Sequence, residues 1–414
     1  EDFVDRTHSH AEPMLNHNDN EVATVEAVVE LIDTTHATTV VLHGDYSNSS
    51  VDDGNNDHST GGGFEALVVL HATRWLPSLL DSLLRGAGQV MFLNSIFSGL
   101  LVAVALVAGK TWVGLLGLLG GFVATVTATV AGVQLEGAAM LHEGLLSYNG
   151  VLVGCAFAVF LNDGRPWEGG SVVATVVGAS FSSMVSLALK AMHPKTPSWT
   201  WGFNIVAIPV LLFVRPFDVT NTATAVGQQV NTNTTLLNAT AVPTTSTPPM
   251  EAVHFLHAIV SGMSQIFVLD SVVAGGLLIA ACFVFSPCLA ATGVLGSAIG
   301  TLTALIACNA DQVGLVAGLH GYNPALTALA VAVFFVPTGQ ALVLGLGGAI
   351  ATSVLSAGAS AAFGGAFSSP VLTMPFCVVA SFCFYLGSID VIPGLRIAPT
   401  PHSPEGNFKF RRAG

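Results

Sequence analysis

"GLLSYNGVLVGCAFAVF" runs from Gly144 to Phe160, and "GLHGYNPALTALAVAVFF" runs from Gly318 to Phe335. Both carry a Tyr-Asn pair inside an apolar run that continues to Ala-Val-Phe. An offset of 174 residues (144 to 318) lays Tyr148 and Asn149 on Tyr322 and Asn323, and Gly144, Leu145 and Leu152 on Gly318, Leu319 and Leu326. Two further blocks obey the same rule. "GAGQVMFLNSIFSGLL" from Gly86 matches "GMSQIFVLDSVVAGGLL" from Gly262 at an offset of 176 (86 to 262), pairing Gln89 with Gln265, Leu93 with Leu269, Asn94 with Asp270 and Ser95 with Ser271. "PSWTWGF" from Pro197 matches "PVLTMPF" from Pro370 at an offset of 173 (197 to 370), pairing Thr200 with Thr373 and Phe203 with Phe376. Three blocks in one order at a nearly constant offset are an internal duplication.

The solvent in which the duplicated parts fold follows from composition. Of the 414 residues, 52% are hydrophobic and 9% charged, against about 25% charged in an ordinary soluble domain. Apolar stretches near the roughly 20 residues needed to span a bilayer recur from Gly86 to Val214 and from Ala252 to Leu386. The expectation is an all-α integral membrane protein with a first membrane repeat over 86–217 and a second over 251–395. The six cysteines lie in apolar segments without CxxC spacing and read as small buried hydrophobes.

The formal charge of −13 comes almost entirely from residues 1–85, where acids such as Asp52, Asp53 and Glu65 meet only Arg6, Arg74 and Arg85. That acidic segment is too polar to bury a core and is expected to be largely disordered. Its scattered histidines read as solvated tail, not a metal site, and no basic-apolar-small leader of a secretory signal is visible. Residues 218–250, rich in Thr, Asn and Pro, read as a solvated connector with the sequons at Asn233 and Asn238 as glycosylation candidates, usable only on an extracellular face. Arg74 and Arg85 before the first span, and "KFRR" in the basic tail 396–414, place both termini in the cytoplasm by the positive-inside bias. With the connector outside, each half crosses an odd number of times, so the halves are inverted relative to each other, an architecture of transporters and channels.

Within each half the polar residues mark a path. Gln89 and Gln265 each precede an Asn-Ser or Asp-Ser pair by five residues, a spacing that does not share one narrow helical stripe. A broken or re-entrant segment follows, which membranes tolerate only where backbone is buried in protein or lines a wet cavity. Pro197, Gly202, Pro370 and Pro375 interrupt helices beside Thr200 and Thr373 and free backbone carbonyls. The duplication brings those threonines together near the bilayer midplane. Paired ionisable residues, the mark of ion-coupled carriers, are missing from the symmetric positions, with Glu136, Glu143, Asp270 and Asp311 the acids to watch. A neutral permeant follows, because an unpaired amide costs a few kcal/mol to desolvate and a bare ion far more.

With these residues in place, the chain resembles the urea transporter family from Gly86 to Leu386. The resemblance rests on "GAGQVMFLN" and "GMSQIFVLD", on "YNGVLVG" and "GYNPAL", and on "PVLTMPF", which fits the family signature LPxxTxPF apart from its leading residue. It implies a homotrimer whose subunits each have their own central pore between two inverted halves, with about five spanning helices and one re-entrant helix apiece. Carried over by position, Gln89 and Gln265 bond urea near the two mouths. Phe92, Val268, Tyr148, Leu152, Tyr322 and Leu326 form apolar slot walls, and Thr200 and Thr373 form the central constriction. Flat urea, with one carbonyl and four N–H donors at its edges, suits apolar faces and a ladder of oxygens, where hydrated ions cannot be replaced in kind. This sequence departs from the family in carrying Ser95-Ile96 and Ser271-Val272 where Asn-Pro is frequent, and Gly202 where the signature has proline, with Trp199 and Trp201 flanking Thr200.

The expected activity is passive, channel-like urea transport, with urea and the bilayer as partners, no cofactor, no nucleic acid and a plasma-membrane location. Two alternatives remain: a channel for ammonia, water or another small neutral amide, and a sensor or scaffold whose acidic tail binds a partner. No GxxxxGK[ST] stretch points to a primary pump, and His142, Glu143, His193 and His320 have no triad or ligand spacing that would make the chain an enzyme.

Overall fold

The computed structural model describes residues 27–32, 37–42, 78–131, 136–161, 169–214, 251–308, 310–367, 369–389 and 391–411, side chains at 27–32, 37–42, 136–138 and 365–367 excepted. The chain divides into a unit over Glu1–Leu67 and a unit over Val68–Gly414. In the first, β1 (Ala27–Ile32) and β2 (Ala37–Leu42) pair antiparallel with Ala27 opposite Leu42 and Ile32 opposite Ala37. This hairpin lies inside the acidic segment expected to be largely disordered; its β-branched runs "AVVELI" and "ATTVVL" are strand formers despite the acidic surroundings. The connector with Asn233 and Asn238 lies outside the described residues.

The second unit is a series of helices that occurs twice. In the first pass, α1 covers residues 78–89, followed by α2 (Ile96–Gly109), α3 (Thr111–Val130), the short α4 (Glu136–His142), α5 (Tyr148–Phe160), α6 (Gly169–Met192) and α7 (Trp201–Val214). The second pass repeats the order: α8 (Ala252–Gln265), α9 (Val272–Phe285), α10 (Pro287–Ala307), the short α11 (Gln312–Val316), α12 (Tyr322–Phe334), α13 (Gly339–Phe367) and α14 (Met374–Ser388). Because α1 already begins at residue 78, it runs across the boundary drawn at 85/86 from the sequence. Its Asp81 and Arg85 are helical and paired at 2.9 Å. Among the described residues, α3, α6, α10 and residues 339–364 of α13 are long and apolar enough to cross a membrane, and six further apolar helices are shorter.

Packing repeats with the order. α3 packs on α5 and α6 as α10 packs on α12 and α13, α7 lies on α5 and α6 as α14 lies on α12 and α13, and the equivalent helices α2 and α9 meet each other between the halves. One apolar core joins both passes, and it includes Phe157 and Phe203 of the first and Phe267 and Phe376 of the second. The outward faces are apolar too, as at Phe97, Phe181 and Phe213, whereas Ser182, Ser186, Thr301 and Thr352 are buried. That distribution suits a hydrocarbon solvent, in which small polar side chains go inward to bond. Thr125 donates to the Gly121 carbonyl at 2.8 Å, and Thr327 meets Thr352 at 2.8 Å. Close helix contact at α3 and α5 needs glycine: a Cβ on Gly120 would stand 2.1 Å from the Gly150 carbonyl oxygen.

A final segment folds back on the second pass. Val336 and Phe334 bond the backbone at Arg396 and Ala398, and the Asn407 amide donates to the Val333 carbonyl at 2.6 Å. Residues Pro404–Asn407 form α15 and Phe408–Arg411 a 3-10 turn. Glu405 reaches the N-terminus of α10, accepting from the Ser286 hydroxyl at 2.5 Å and the Cys288 amide at 3.0 Å.

Candidate functional site

Each pass breaks its chain at the same two places. After α1 and α8 the backbone closes with paired bonds, Leu93 N–H to the Gly88 carbonyl and Phe92 N–H to that of Gln89, repeated by Leu269 to Ser264 and Val268 to Gln265. This is a Schellman closure, whose capping residue is usually glycine because it is left-handed. Here Phe92 and Val268 occupy it, with φ of 64° and 59°. A non-glycine residue there costs on the order of 1–2 kcal/mol, and such strain gathers at functional sites. The next helices start on Ser95 and Ser271, whose side chains accept from the amides of Ser98 and Ala274 at 3.4 and 3.2 Å. The two serines thus serve as N-caps, which gives a structural role to the departure from the family's Asn-Pro.

The second break precedes α7 and α14. Trp199 and Leu372 are left-handed as well, with φ of 44° and 53°. The carbonyl of each takes a tyrosine hydroxyl: Tyr148 donates to Trp199, and Tyr322 donates to Leu372 at 2.7 Å. Asn149 accepts from the Phe203 amide at 3.2 Å, and Asn323 donates to the Leu372 carbonyl at 3.1 Å. The repeated Tyr-Asn pair therefore fastens the start of α5 or α12 to the strained turn before α7 or α14. Gln89 and Gln265 are anchored alike, their Nε2 donating to the carbonyls of Glu143 at 3.2 Å and Ala317 at 2.9 Å.

Two cavities lie on these turns. The larger, about 560 Å³, is lined by Gln89, Phe92, Tyr148, Trp199 and Thr200 of the first pass and by Phe334 and Phe376 of the second. The smaller, about 180 Å³, is lined by Gln265, Val268, Tyr322, Leu372 and Thr373 of the second pass and by Phe160 and Phe203 of the first. The offsets given above relate the two linings position by position. Where they differ, the larger cavity has Phe92 and Trp199 and the smaller has Val268 and Leu372. Trp199 sits edge-on to Phe334, with ring centroids 5.1 Å apart, and to Phe92 at 6.2 Å. At the boundary, the Thr200 and Thr373 hydroxyl oxygens are 2.7 Å apart and buried.

Eight of the ten residues expected from the sequence thus border one cavity or the other. Leu152 and Leu326 do not: both are fully buried in the common core. Each sits one helical turn after its tyrosine, where sequence spacing alone cannot separate a wall residue from one packed between helices. The structure adds Phe160, Phe203, Phe334 and Phe376, which reach the cavity bounded mainly by the other pass, and Ile397 and His402 of the final segment, which border the larger cavity. Charge is confined to that larger mouth, at Glu143, Lys190 and Lys195. Asp311 caps α11, accepting from the Gly314 amide at 2.7 Å, and Asp270 is exposed.

Fold and site together define a multi-pass helical membrane protein with two largely apolar recesses meeting at a pair of threonines. The sequence profile described as "UT: Urea transporter" matches residues 80–388, about three-quarters of the chain, and the chain belongs to the urea transporter family. Similar proteins include "Urea transporter 1" of Ovis aries and of Capra hircus, each 27% identical over 315 residues that cover 74% of this chain and 76% of the relative. "Urea transporter 1" of Mus musculus is 26% identical over the same extent.

Proposed function

We propose that this chain carries urea passively across a membrane, by a path that enters one cavity, passes the Thr200–Thr373 pair and leaves by the other. The observation that carries this reading is the junction itself: two apolar-walled recesses end on the two hydroxyls of one 2.7 Å hydrogen bond. Aromatic and aliphatic walls suit the faces of a planar solute. Gln89, Gln265 and the turn carbonyls suit its edges, since each glutamine spends its amide nitrogen on the backbone and keeps an oxygen to accept N–H. Among the described residues, those bonded at the junction, Thr200, Thr373, Asn204 and Cys377, are all uncharged, which favours a neutral permeant.

The same reading takes the two passes as inverted repeats around one pore, each with a re-entrant segment at its first break. It places the termini in the cytoplasm and the glycosylatable connector outside, and it assembles three such subunits in the plasma membrane. Uptake of urea by liposomes holding the purified chain, with and without an ion gradient, tests it. Saturation to the external concentration regardless of the ion gradient is expected. Flux of ammonia or water without urea would replace urea by one of those solutes.

A further inference from the structure

Four pairs of polar residues around the path match between the passes: Gln89 with Gln265, Tyr148 with Tyr322, Asn149 with Asn323, Thr200 with Thr373. One helical turn beyond the threonines the match breaks. Four residues beyond Thr200 stands Asn204, and four beyond Thr373 stands Cys377 (204 + 173 = 377). Asn204 is 2% exposed. Its Nδ2 donates to the Thr200 carbonyl at 3.0 Å and to the Thr373 hydroxyl oxygen at 3.0 Å, with Cys377 Sγ at 3.4 Å. The orientation of the amide is fixed by chemistry, because the Thr200 carbonyl only accepts and so must face the nitrogen. Asn204 Oδ1 is then left buried with no partner, an arrangement that calls for an explanation.

We propose that Asn204 is a specificity-determining positioning residue, whose amide polarises the threonine pair so that the midpoint of the path presents one hydroxyl donor to the carbonyl of a passing solute. This rests on the urea-transport reading. Two hydroxyls 2.7 Å apart can bond in either sense. Once Thr373 Oγ1 accepts from Asn204, one of its lone pairs is occupied and its own hydrogen becomes the better donor, since chained hydrogen bonds polarise one another. The chain then runs from the Asn204 N–H to the Thr373 hydroxyl and on to Thr200 Oγ1. The Thr200 hydrogen is the free end. Its partner in the protein is Cys377 Sγ at 3.0 Å, and sulfur is a weak acceptor. A solute carbonyl therefore displaces the thiol readily, and the hydrogen returns to sulfur when the solute leaves. A second asparagine at 377 would put a strong donor at each end of the pair and remove that direction, which accounts for the mismatch.

If Asn204 merely knitted the two passes together, its loss would slow every solute alike. Comparing urea with thiourea separates the two roles, because both are planar with the same N–H donors but thiourea offers sulfur as its acceptor. With the full-length chain in liposomes, the wild type is expected to favour urea. Asn204→Leu, similar in volume, is expected to lower urea flux about tenfold, the size of one lost hydrogen bond, and to shrink the urea-to-thiourea ratio severalfold. The double exchange N204C/C377N restores a single strong donor from the opposite side and is expected to recover the ratio. An unchanged ratio in Asn204→Leu, or a double exchange that stays folded with the ratio still collapsed, overturns the proposal. Should Asn204→Leu fail to fold, the double exchange alone decides by the same ratio. Absence of urea uptake in the wild type would instead overturn the transport reading beneath it.

Discussion

The hydroxyl oxygens of Thr200 and Thr373, 173 residues apart in the chain (200 to 373), lie 2.7 Å from each other where the two cavities meet. Replacing Thr373 by valine keeps the branched shape and removes the oxygen. The Asn204 amide then loses one acceptor and a passing solute loses one bonding group. A net hydrogen bond is worth roughly 1 kcal/mol, so urea flux should fall by about five- to tenfold, with the elution profile in detergent unchanged. Stopped-flow shrinkage of liposomes measures it, and wild-type flux in this variant would mean that the solute travels elsewhere.

Trp199 and Leu372 hold equivalent left-handed positions but give the two recesses different walls. Trp199→Leu makes the larger recess resemble the smaller one. The indole packs against Phe92, Phe334, Phe376 and Phe384, so its removal opens space and lowers stability by about 2–3 kcal/mol, below the cost of full truncation to alanine. Flux of N-methylurea relative to urea should rise. A ratio no higher than that of the wild type would show that the indole does not set the width.

The duplicated polar positions were legible in the sequence because like residues recur at a fixed offset, as Gln89 does in Gln265 and Thr200 in Thr373. The same test hid Asn204, since its counterpart Cys377 is unlike it and an unmatched pair carries no signal. Phe334 and Phe376 were unreadable for another reason: periodicity shows that a residue is apolar, but not that it crosses to the recess bounded by the other pass. Leu152 and Leu326 share the spacing of lining residues and belong to the core. The hairpin of β1 and β2 was obscured by the charge around it, although its β-branched runs are plain once the segment is read in windows of six. The final segment reads as a basic tail. Its docking depends on Asn407 and Glu405, two polar contacts that no periodicity marks.

Gly144 and Gly318 close α4 and α11 with φ of 73° and 79°. A Cβ on Gly144 would stand 2.2 Å from the Gly86 amide nitrogen, and one on Gly318 would stand 2.3 Å from that of Gly262. Alanine at either site meets both a left-handed penalty of about 1–2 kcal/mol and a backbone clash. Both variants should be recovered poorly from membranes. Gly276→Ala, a helical position with no atom near the new Cβ, is the control and should gain about 0.5–1 kcal/mol. Thermal unfolding in detergent ranks the three, and a Gly144→Ala protein as stable as the control would contradict the packing of α1 against the turn that follows α4.

Glu405 fastens the final segment, which borders the larger cavity through Ile397 and His402. Its burial pushes the carboxyl up, but bonds from the Ser286 hydroxyl and the Cys288 amide outweigh that and hold it at about 2, below its ordinary 4.5. The N-terminus of α10 favours the same charged form. A carboxyl depressed on folding contributes its stability in full above its unfolded value and loses it as pH falls toward the folded one. The attachment should therefore be constant above about pH 5 and weaken from about pH 4.5 down to 2. Glu405→Gln should release it at every pH. Protease accessibility of residues 396–411 reads the attachment directly: cleavage should increase in Glu405→Gln at pH 7 and in the wild type only on acidification. Equal protection of both proteins at pH 7 would show that Asn407 and the backbone bonds of residues 396–398 suffice without the carboxylate.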